Sequence, residues 1–187
     1  MITLLRYLRS IHPLSEALRD HLEDVIKEKK LARKDYLLKA GQICGNIYFV
    51  EQGLLRSYYS RDKKEISSNF FKEGDICTAP ESFFTQQYGQ ESIQAIEDCV
   101  LYYISYDELQ HLFRAFPDFN FIGRVLLERC YLAMVQRFSA MWMRSAPDRF
   151  EWLASSFPDL LQRVPAKYLA SYLEITEGML STIKSRR

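Results

Sequence analysis

The residues best suited to chemistry lie at the C-terminus, in the string Val164-Pro165-Ala166-Lys167-Tyr168-Leu169-Ala170-Ser171-Tyr172-Leu173-Glu174-Ile175-Thr176-Glu177-Gly178-Met179-Leu180-Ser181-Thr182-Ile183-Lys184-Ser185-Arg186-Arg187. Leu169, Ala170 and Leu173 share one face of a first helix, and the small Ala170 lets a second helix approach closely. Ile175 plugs the turn, Thr176 is a good N-cap, and Leu180 and Ile183 supply the inner face of the second helix. This is the spacing of a helix-turn-helix. Glu177, Gly178, Ser181, Thr182, Ser185 and Arg186 then point outward, where polar side chains reach base edges or phosphates in a major groove. Ser181, Thr182 and Ser185 are the candidates for base edges. Lys167, Lys184, Arg186 and Arg187 are the candidates for phosphates. Gly178 has no side chain with which to read a base. From Arg163 onward there are 5 Lys and Arg against 2 Asp and Glu, whereas residues 1–144 balance at 19 of each. Positive charge is therefore concentrated at this end of a chain whose net charge is only +1.

Other chemistries find little to work with. Cys44, Cys77, Cys99 and Cys130 form no C-x-x-C pair, which removes the usual zinc, redox and cluster spacings, and they read as buried small apolar residues. His12, His21 and His111 are scattered on helical segments, where each reads as a surface or partly packed residue, so no metal site is expected. None of the three falls in the strand region from Leu31 to Ile104, which argues against a metal-dependent enzyme of the cupin type. No G-x-G-x-x-G or G-K-[ST] string occurs, and no catalytic residue is assigned.

The elements that must position the C-terminal motif follow from periodicity. The 187 residues are 48% hydrophobic and 26% charged, enough to bury a substantial core. Leu4, Leu5 and Leu8 recur at helical spacing, Pro13 breaks, and Ser15 caps a second helix carrying Leu18 and Leu22. Short β-rich runs follow over 36–38, 47–50, 54–59, 65–71, 92–96 and 100–104. They are separated by turn signals at Gly41-Gln42, Gln52-Gly53, Arg61-Asp62-Lys63 and Gly74-Asp75. Such spacing predicts a compact barrel or roll. Tyr106 to Ala115 is a short helix, and Asp118 caps a segment running to about Met143, roughly 39 Å long at ~1.5 Å per residue, with Gly123 its weak point. Leu127, Tyr131, Met134, Phe138 and Met141 form one apolar row on it. Val125, Leu132, Val135 and Trp142 form another, so one row can lie on the roll while the other meets a partner. Three helices are expected in the last 43 residues.

A β-roll, one long helix and a terminal helix-turn-helix resemble the CRP/FNR family of transcription regulators, from roughly Leu14 to the end. The stretch from Gly41-Gln42 through Ile47-Tyr48-Phe49-Val50-Glu51-Gln52-Gly53-Leu54-Leu55-Arg56 is similar to the family's roll signature, with Gly74-Asp75 as a recurring turn. Val164-Pro165, Ala170-Ser171-Tyr172-Leu173, Ile175-Thr176 and Leu180-Ser181 are similar to the ending of short, divergent members. The resemblance implies an α+β fold with an N-terminal antiparallel β-roll, a cyclic-nucleotide-binding-like jelly roll, as sensor domain (1–116). It further implies a long dimerisation helix (117–144) and a helix-turn-helix DNA-binding domain (145–187). Its implied partners are double-stranded DNA and a second copy of the chain, with RNA polymerase and an unidentified small-molecule effector as further ones. The longest unbroken apolar run, Cys99 to Ile104, is far short of a membrane span, and a non-enzymatic cytoplasmic protein is expected.

Family members that bind cyclic AMP hold the ribose with a Gly-Glu pair and clamp the phosphate with an Arg-Ser pair. In the matching region Glu81 keeps the ribose position beside Ser82, but Glu91 or Ser92 stands where arginine is expected. Met134 and Val135 replace the hydroxyls that meet the base from the long helix. A carboxylate facing a phosphate is repulsive, so cyclic AMP is not expected to bind. The pocket takes another small molecule or is filled by Phe83, Phe84 and Tyr88. No haem or cluster ligands are present, and no cofactor is expected. The alternative reading is a sensor or scaffold whose helix-turn-helix contacts protein rather than DNA.

Overall fold

Pro13 separates two short helices, α1 (Ile2–Ile11) and α2 (Glu16–Val25), and the hydroxyl of Ser15 accepts the Leu18 N–H at 3.4 Å to start the second. These elements belong to a computed structural model that describes residues 1–62, 64–143 and 145–185. Eight strands follow: β1 (Lys27–Leu31), β2 (Tyr36–Leu38), β3 (Asn46–Gln52), β4 (Leu55–Arg61), β5 (Lys64–Phe71), β6 (Ile76–Cys77), β7 (Glu91–Ala95) and β8 (Cys99–Ser105). They form two four-stranded antiparallel sheets, ordered β1-β8-β3-β6 and β2-β7-β4-β5. Val50, Leu55, Ile93 and Leu101 meet between the sheets, fully buried, and Leu18 and Leu112 close the core from the helices.

Six of these strands correspond to the expected runs. β1 and β6 were not predicted, and neither was the short helix α3 (Pro80–Thr85). β1 reads Lys-Glu-Lys-Lys-Leu and buries only Leu31, because it is an edge strand whose charges face water and block further pairing. The glycine turn signals hold: Gly41, Gly53 and Gly74 all have positive φ. Gly53 is the most constrained. A Cβ there would stand 2.7 Å from Cys99 Sγ and closer still to the Asp98 carbonyl.

Helix α4 (Tyr106–Ala115), capped by Ser105, ends at Phe116, and Pro117 opens the 27-residue α5 (Pro117–Met143). Gly123 is a packing position rather than a weak point, since the Phe113 ring of α4 occupies the space its side chain would take. Phe119 and Ile122 anchor the start of α5 in the first core, and Ala140 and Met141 anchor its end in a second. Between these anchors neither expected apolar row lies on the roll. Leu127, Tyr131, Met134 and Phe138 are all 56–62% exposed, and Leu132, Val135 and Trp142 are exposed beside them.

After α5 come α6 (Ala146–Ser156), with a capping box between Ser145 and Asp148, the single turn α7 (Leu160–Arg163), α8 (Ala166–Tyr172) and α9 (Glu177–Ser185). The turn at α7 makes four helices where three were expected. Leu153, Leu169, Leu173 and Leu180 form the second core together with Leu54, Phe70 and Ile96 of the roll. Gly53→Ala combines a strained φ with a backbone overlap, and is expected to lower stability by about 2–4 kcal/mol in urea unfolding followed by circular dichroism.

Candidate nucleic-acid interface and effector pocket

The turn between α8 and α9 is set by backbone bonding. Ile175 N–H donates to the Ala170 carbonyl at 3.0 Å and Glu174 N–H to the Ser171 carbonyl at 3.2 Å. This is a Schellman termination with Glu174 at φ 55° in the left-handed position that glycine would occupy more cheaply. Thr176 Oγ1 accepts the Met179 N–H at 3.1 Å, as expected of the N-cap, and Leu180 is buried against α8 and α6. Glu177, Ser181, Thr182, Lys184 and Ser185 are consequently exposed on the outer face of α9, with Lys167 exposed on α8. Thr182 and Ser185 donate their hydroxyls to the carbonyls of Gly178 and Thr182, both at 3.0 Å. Each hydroxyl oxygen keeps acceptor capacity for an outside donor. Arg186 and Arg187, expected on phosphates, lie outside the described residues.

The helix-turn-helix is docked on the roll. α8 packs on β5, where Ser171 Oγ accepts the Ser67 N–H at 2.9 Å and donates to the Glu65 carbonyl at 3.0 Å. Arg56, only 1% exposed, lies between the rings of Tyr58 and Tyr168, 4.2 and 3.6 Å from their centroids. Its Nη2 donates to Glu65 at 2.6 Å, while Nε and Nη1 have no hydrogen-bond partner among the described residues. On α7, Arg163 donates to Glu73 at 2.8 and 2.9 Å and to Glu97 at 2.9 and 2.6 Å. These bonds, with the N–H of Gly53, hold the Glu73 carboxyl at about 2, well below the usual carboxylate range, against a smaller opposing effect of burial. Lys72 pairs with Asp159 at 3.0 Å across the same seam.

The predicted pocket residues divide into three groups. Glu91 and Ser92 on β7 are buried. Glu91 Oε1 accepts from Ser68 Oγ at 2.6 Å, Ser68 contacts Ser57 Oγ at 2.7 Å, and Ser92 Oγ accepts the Ala40 N–H at 3.0 Å. Burial pushes the Glu91 carboxyl up, and the hydroxyls of Ser68 and Ser57 only partly counter it, with Glu81 adding to the rise. Glu81 is exposed in the first turn of α3, whereas Ser82 is consumed internally, accepting from Cys44 N–H at 2.9 Å and donating to the Gln87 carbonyl at 2.5 Å. Met134 and Val135 stand exposed on α5, which packs chiefly on α1, α4 and α6, so the structure does not bring them to the sheet that carries Glu91. Of the three aromatic residues expected to fill the pocket, Phe83 is fully buried, edge-on to Tyr106. Phe84 and Tyr88 are exposed. Arg56 is the buried arginine among the described residues, and it faces α8 rather than Glu91. A cleft of about 510 Å³ opens beside Leu38, Gln42, Cys44, Asn46, Tyr48 and Ile93.

Two expectations about reactive side chains need correction. Cys130 is exposed on α5, while Cys44, Cys77 and Cys99 are buried. His21 and His111 are not scattered: their rings lie 5.1 Å apart, and Glu108 bonds to His21. The sequence signal for this cluster was Glu108-x-x-His111, one helical turn on one face, but the contribution of α2 could not be read from spacing.

Residues 28–116 match the cyclic nucleotide-binding domain family. The whole chain is similar in fold to a CooA mutant from Carboxydothermus hydrogenoformans (20% identity, TM-score 0.72, covering 92% of this chain and 80% of that one). It is also similar to a Eubacterium rectale protein assigned to the crp/fnr family of transcriptional regulators (14%, 0.73, 95% and 85%). A third similar structure is the c-di-GMP responsive global regulator CLP of Xanthomonas campestris (18%, 0.70, 92% and 91%). No curated protein matches the sequence. Among the described residues no helix is long and apolar enough to cross a membrane.

The Arg163 bridge gives the docked seam an acid dependence. Glu73 is held at about 2 against an ordinary 4.5, so its contribution is fully present above pH 4.5 and disappears as pH falls through about 2. Arg163→Gln should therefore cost most at neutral pH, and its stability difference from the wild type should narrow between pH 4.5 and 2. Urea unfolding at a series of pH values measures this.

Proposed function

From a chain that carries a cyclic nucleotide-binding domain at residues 28–116 and has the fold of the CRP/FNR transcription regulators, we propose a homodimeric DNA-binding regulator that does not respond to cyclic AMP. The observation that carries this reading is the outer face of α9. Leu180 fixes the helix from beneath, and Glu177, Ser181, Thr182, Lys184 and Ser185 are left exposed on a helix that follows a bonded turn. In the bound state Ser181, Thr182 and Ser185 approach base edges and Lys167 and Lys184 approach phosphates, with Arg186 and Arg187 adding charge in sequence.

The apolar face of α5 supports the dimer. Leu127, Tyr131, Met134 and Phe138 recur at four, three and four residues, the spacing of a coiled-coil seam, and all are exposed in a single chain. Pairing two such helices would bury these side chains and set two α9 helices about one DNA turn, ~34 Å, apart on a near-palindromic site. An effector in the roll controls this spacing if it binds one arrangement of α5 more tightly than another.

Glu91 supports the exclusion of cyclic AMP. Ionised, it would repel a phosphate at 4 Å by about 4 kcal/mol at an effective dielectric of ~20. Protonated, it still offers no cation, and Arg56 is engaged by tyrosine rings on the other side. The exposed Met179 on α9 favours the second reading, in which this helix contacts a protein.

Selection of bound sequences from a random duplex pool at physiological salt, with and without cyclic AMP, tests the proposal. The expected outcome is an inverted repeat, recovered equally in both conditions. Lys184→Ala should weaken binding to all sequences and reduce the salt slope by about 1, whereas Thr182→Ala should alter base preference. Absence of enrichment and of any salt slope would assign α9 to protein contact. Tyr131→Glu with Phe138→Glu, both at exposed positions, is expected to leave the chain folded and convert it to a monomer in analytical ultracentrifugation.

A further inference from the structure

Two imidazoles and a carboxylate converge where the N-terminal helices meet the helix that leads into α5. Leu18 and Leu22 turn one face of α2 into the core, and Leu109 and Leu112 do the same for α4. His21 precedes Leu22, and Glu108 and His111 precede Leu109 and Leu112, so all three occupy the positions flanking the seam. His21 Nε2 lies 2.7 Å from Glu108 Oε1, and one ligand-type atom from each of the three residues lies within 4.8 Å of the others. Phe116 backs the pair, its ring centroid 5.2 Å from that of His21 and 6.3 Å from that of His111. His21 and Glu108 are each about three-quarters covered, and His111 is exposed, so the cluster has a protected floor and an open side.

We propose that His21, Glu108 and His111 form a binding site for a divalent transition-metal ion of the zinc class. Neutral imidazole and carboxylate suit this class better than the hard ions, which prefer all-oxygen shells. Three protein ligands leave a fourth tetrahedral position, and the exposed side at His111 admits water to it. Zinc bonds of ~2.0–2.1 Å put tetrahedral ligand atoms roughly 3.4 Å apart, between the 2.7 Å of the His21–Glu108 contact and the 4.8 Å limit of the cluster. The short His21–Glu108 contact holds one hydrogen between nitrogen and oxygen. The ion takes that place, and the neutral ring then carries its one hydrogen on Nδ1, so Nε2 offers its lone pair to the metal and the Glu108 carboxylate its oxygen. The bound ion would tie α2 to α4 a few residues before Pro117.

The test uses the full-length protein, stripped with a chelator and titrated with Zn²⁺ by calorimetry. One equivalent per chain is expected. Loss of an outer-shell partner alone typically costs a metal site 10- to 100-fold in affinity, so His111→Ala and Glu108→Gln should weaken binding at least about tenfold. His12→Ala and Cys130→Ser should leave it unchanged. His111→Ala is the deciding variant because that position is exposed; its circular dichroism without metal should match the wild type. Zinc should raise the melting temperature of the wild type and not of His111→Ala. With Co²⁺ the visible spectrum should lack a thiolate charge-transfer band. No saturable binding, equal affinity in His111→Ala, or a thiolate band that disappears in Cys130→Ser would overturn the proposal. None of these outcomes depends on DNA binding or dimerisation.

Discussion

Strand β4 is covered on both sides from Leu55 to Tyr58, and most of the architecture follows from that constraint. Leu55, Arg56, Ser57 and Tyr58 are four consecutive residues of β4, and all are buried. Alternation along a strand sends two of them inward to the roll and two outward, so the outer pair needs a cover of its own. That cover is α8, with Tyr168 over Arg56 and Ser171 bonded to the Ser67 N–H and the Glu65 carbonyl of β5. A guanidinium taken from water must be compensated, and here two aromatic faces and Glu65 do so. The orientation of the helix-turn-helix is thereby tied to specific side chains of the roll.

With the C-terminal helices seated on the sheet of β4 and β5, the ridge of Leu127, Tyr131, Met134 and Phe138 on α5 is left uncovered, while Leu126 packs on the first core and Arg137 lies over the Tyr172 ring. Its ends are anchored in two different cores. The exposed apolar ridge follows directly from the docking: the same chain cannot use the roll both as the floor for α8 and as the cover for Leu127 to Phe138. Exposed apolar area on this scale is characteristic of an interaction surface.

Much of this was legible in the sequence, for reasons that are local. Ser15 and Thr176 cap helices because a short hydroxyl side chain satisfies an orphan N–H wherever it precedes an apolar-periodic segment. Gly41, Gly53 and Gly74 mark turns because positive φ is costly for other residues. What failed was non-local. β1 was not predicted, since an edge strand needs pairing on one side only and exposes the rest. One apolar row of α5 was expected on the roll and the other on a partner, because the rows carry no label saying which surface they meet. His21 stands 87 residues from Glu108, a separation no spacing rule spans. Glu91 and Ser92 are buried on β7, whereas Met134 and Val135 stand exposed on α5.

Places where this chain breaks local rules have the same cause. Glu174 occupies a left-handed position that glycine fills at less cost, Arg56 is buried as a cation, Glu91 is buried as an acid, and the α5 ridge faces water. Arg56 is compensated by two tyrosine rings and Glu65, and Glu91 by Ser68, whereas the α5 ridge has no such cover within the chain. Each lies on a surface or in a cavity that can meet something else: Glu174 aims α9, Arg56 seats α8, Glu91 lines the roll, and the ridge offers a seam. Departures from consistency between sequence and structure concentrate where stability is exchanged for interaction. In this chain three of them lie in the roll, under α8 and at the turn into α9, and the fourth lies on α5.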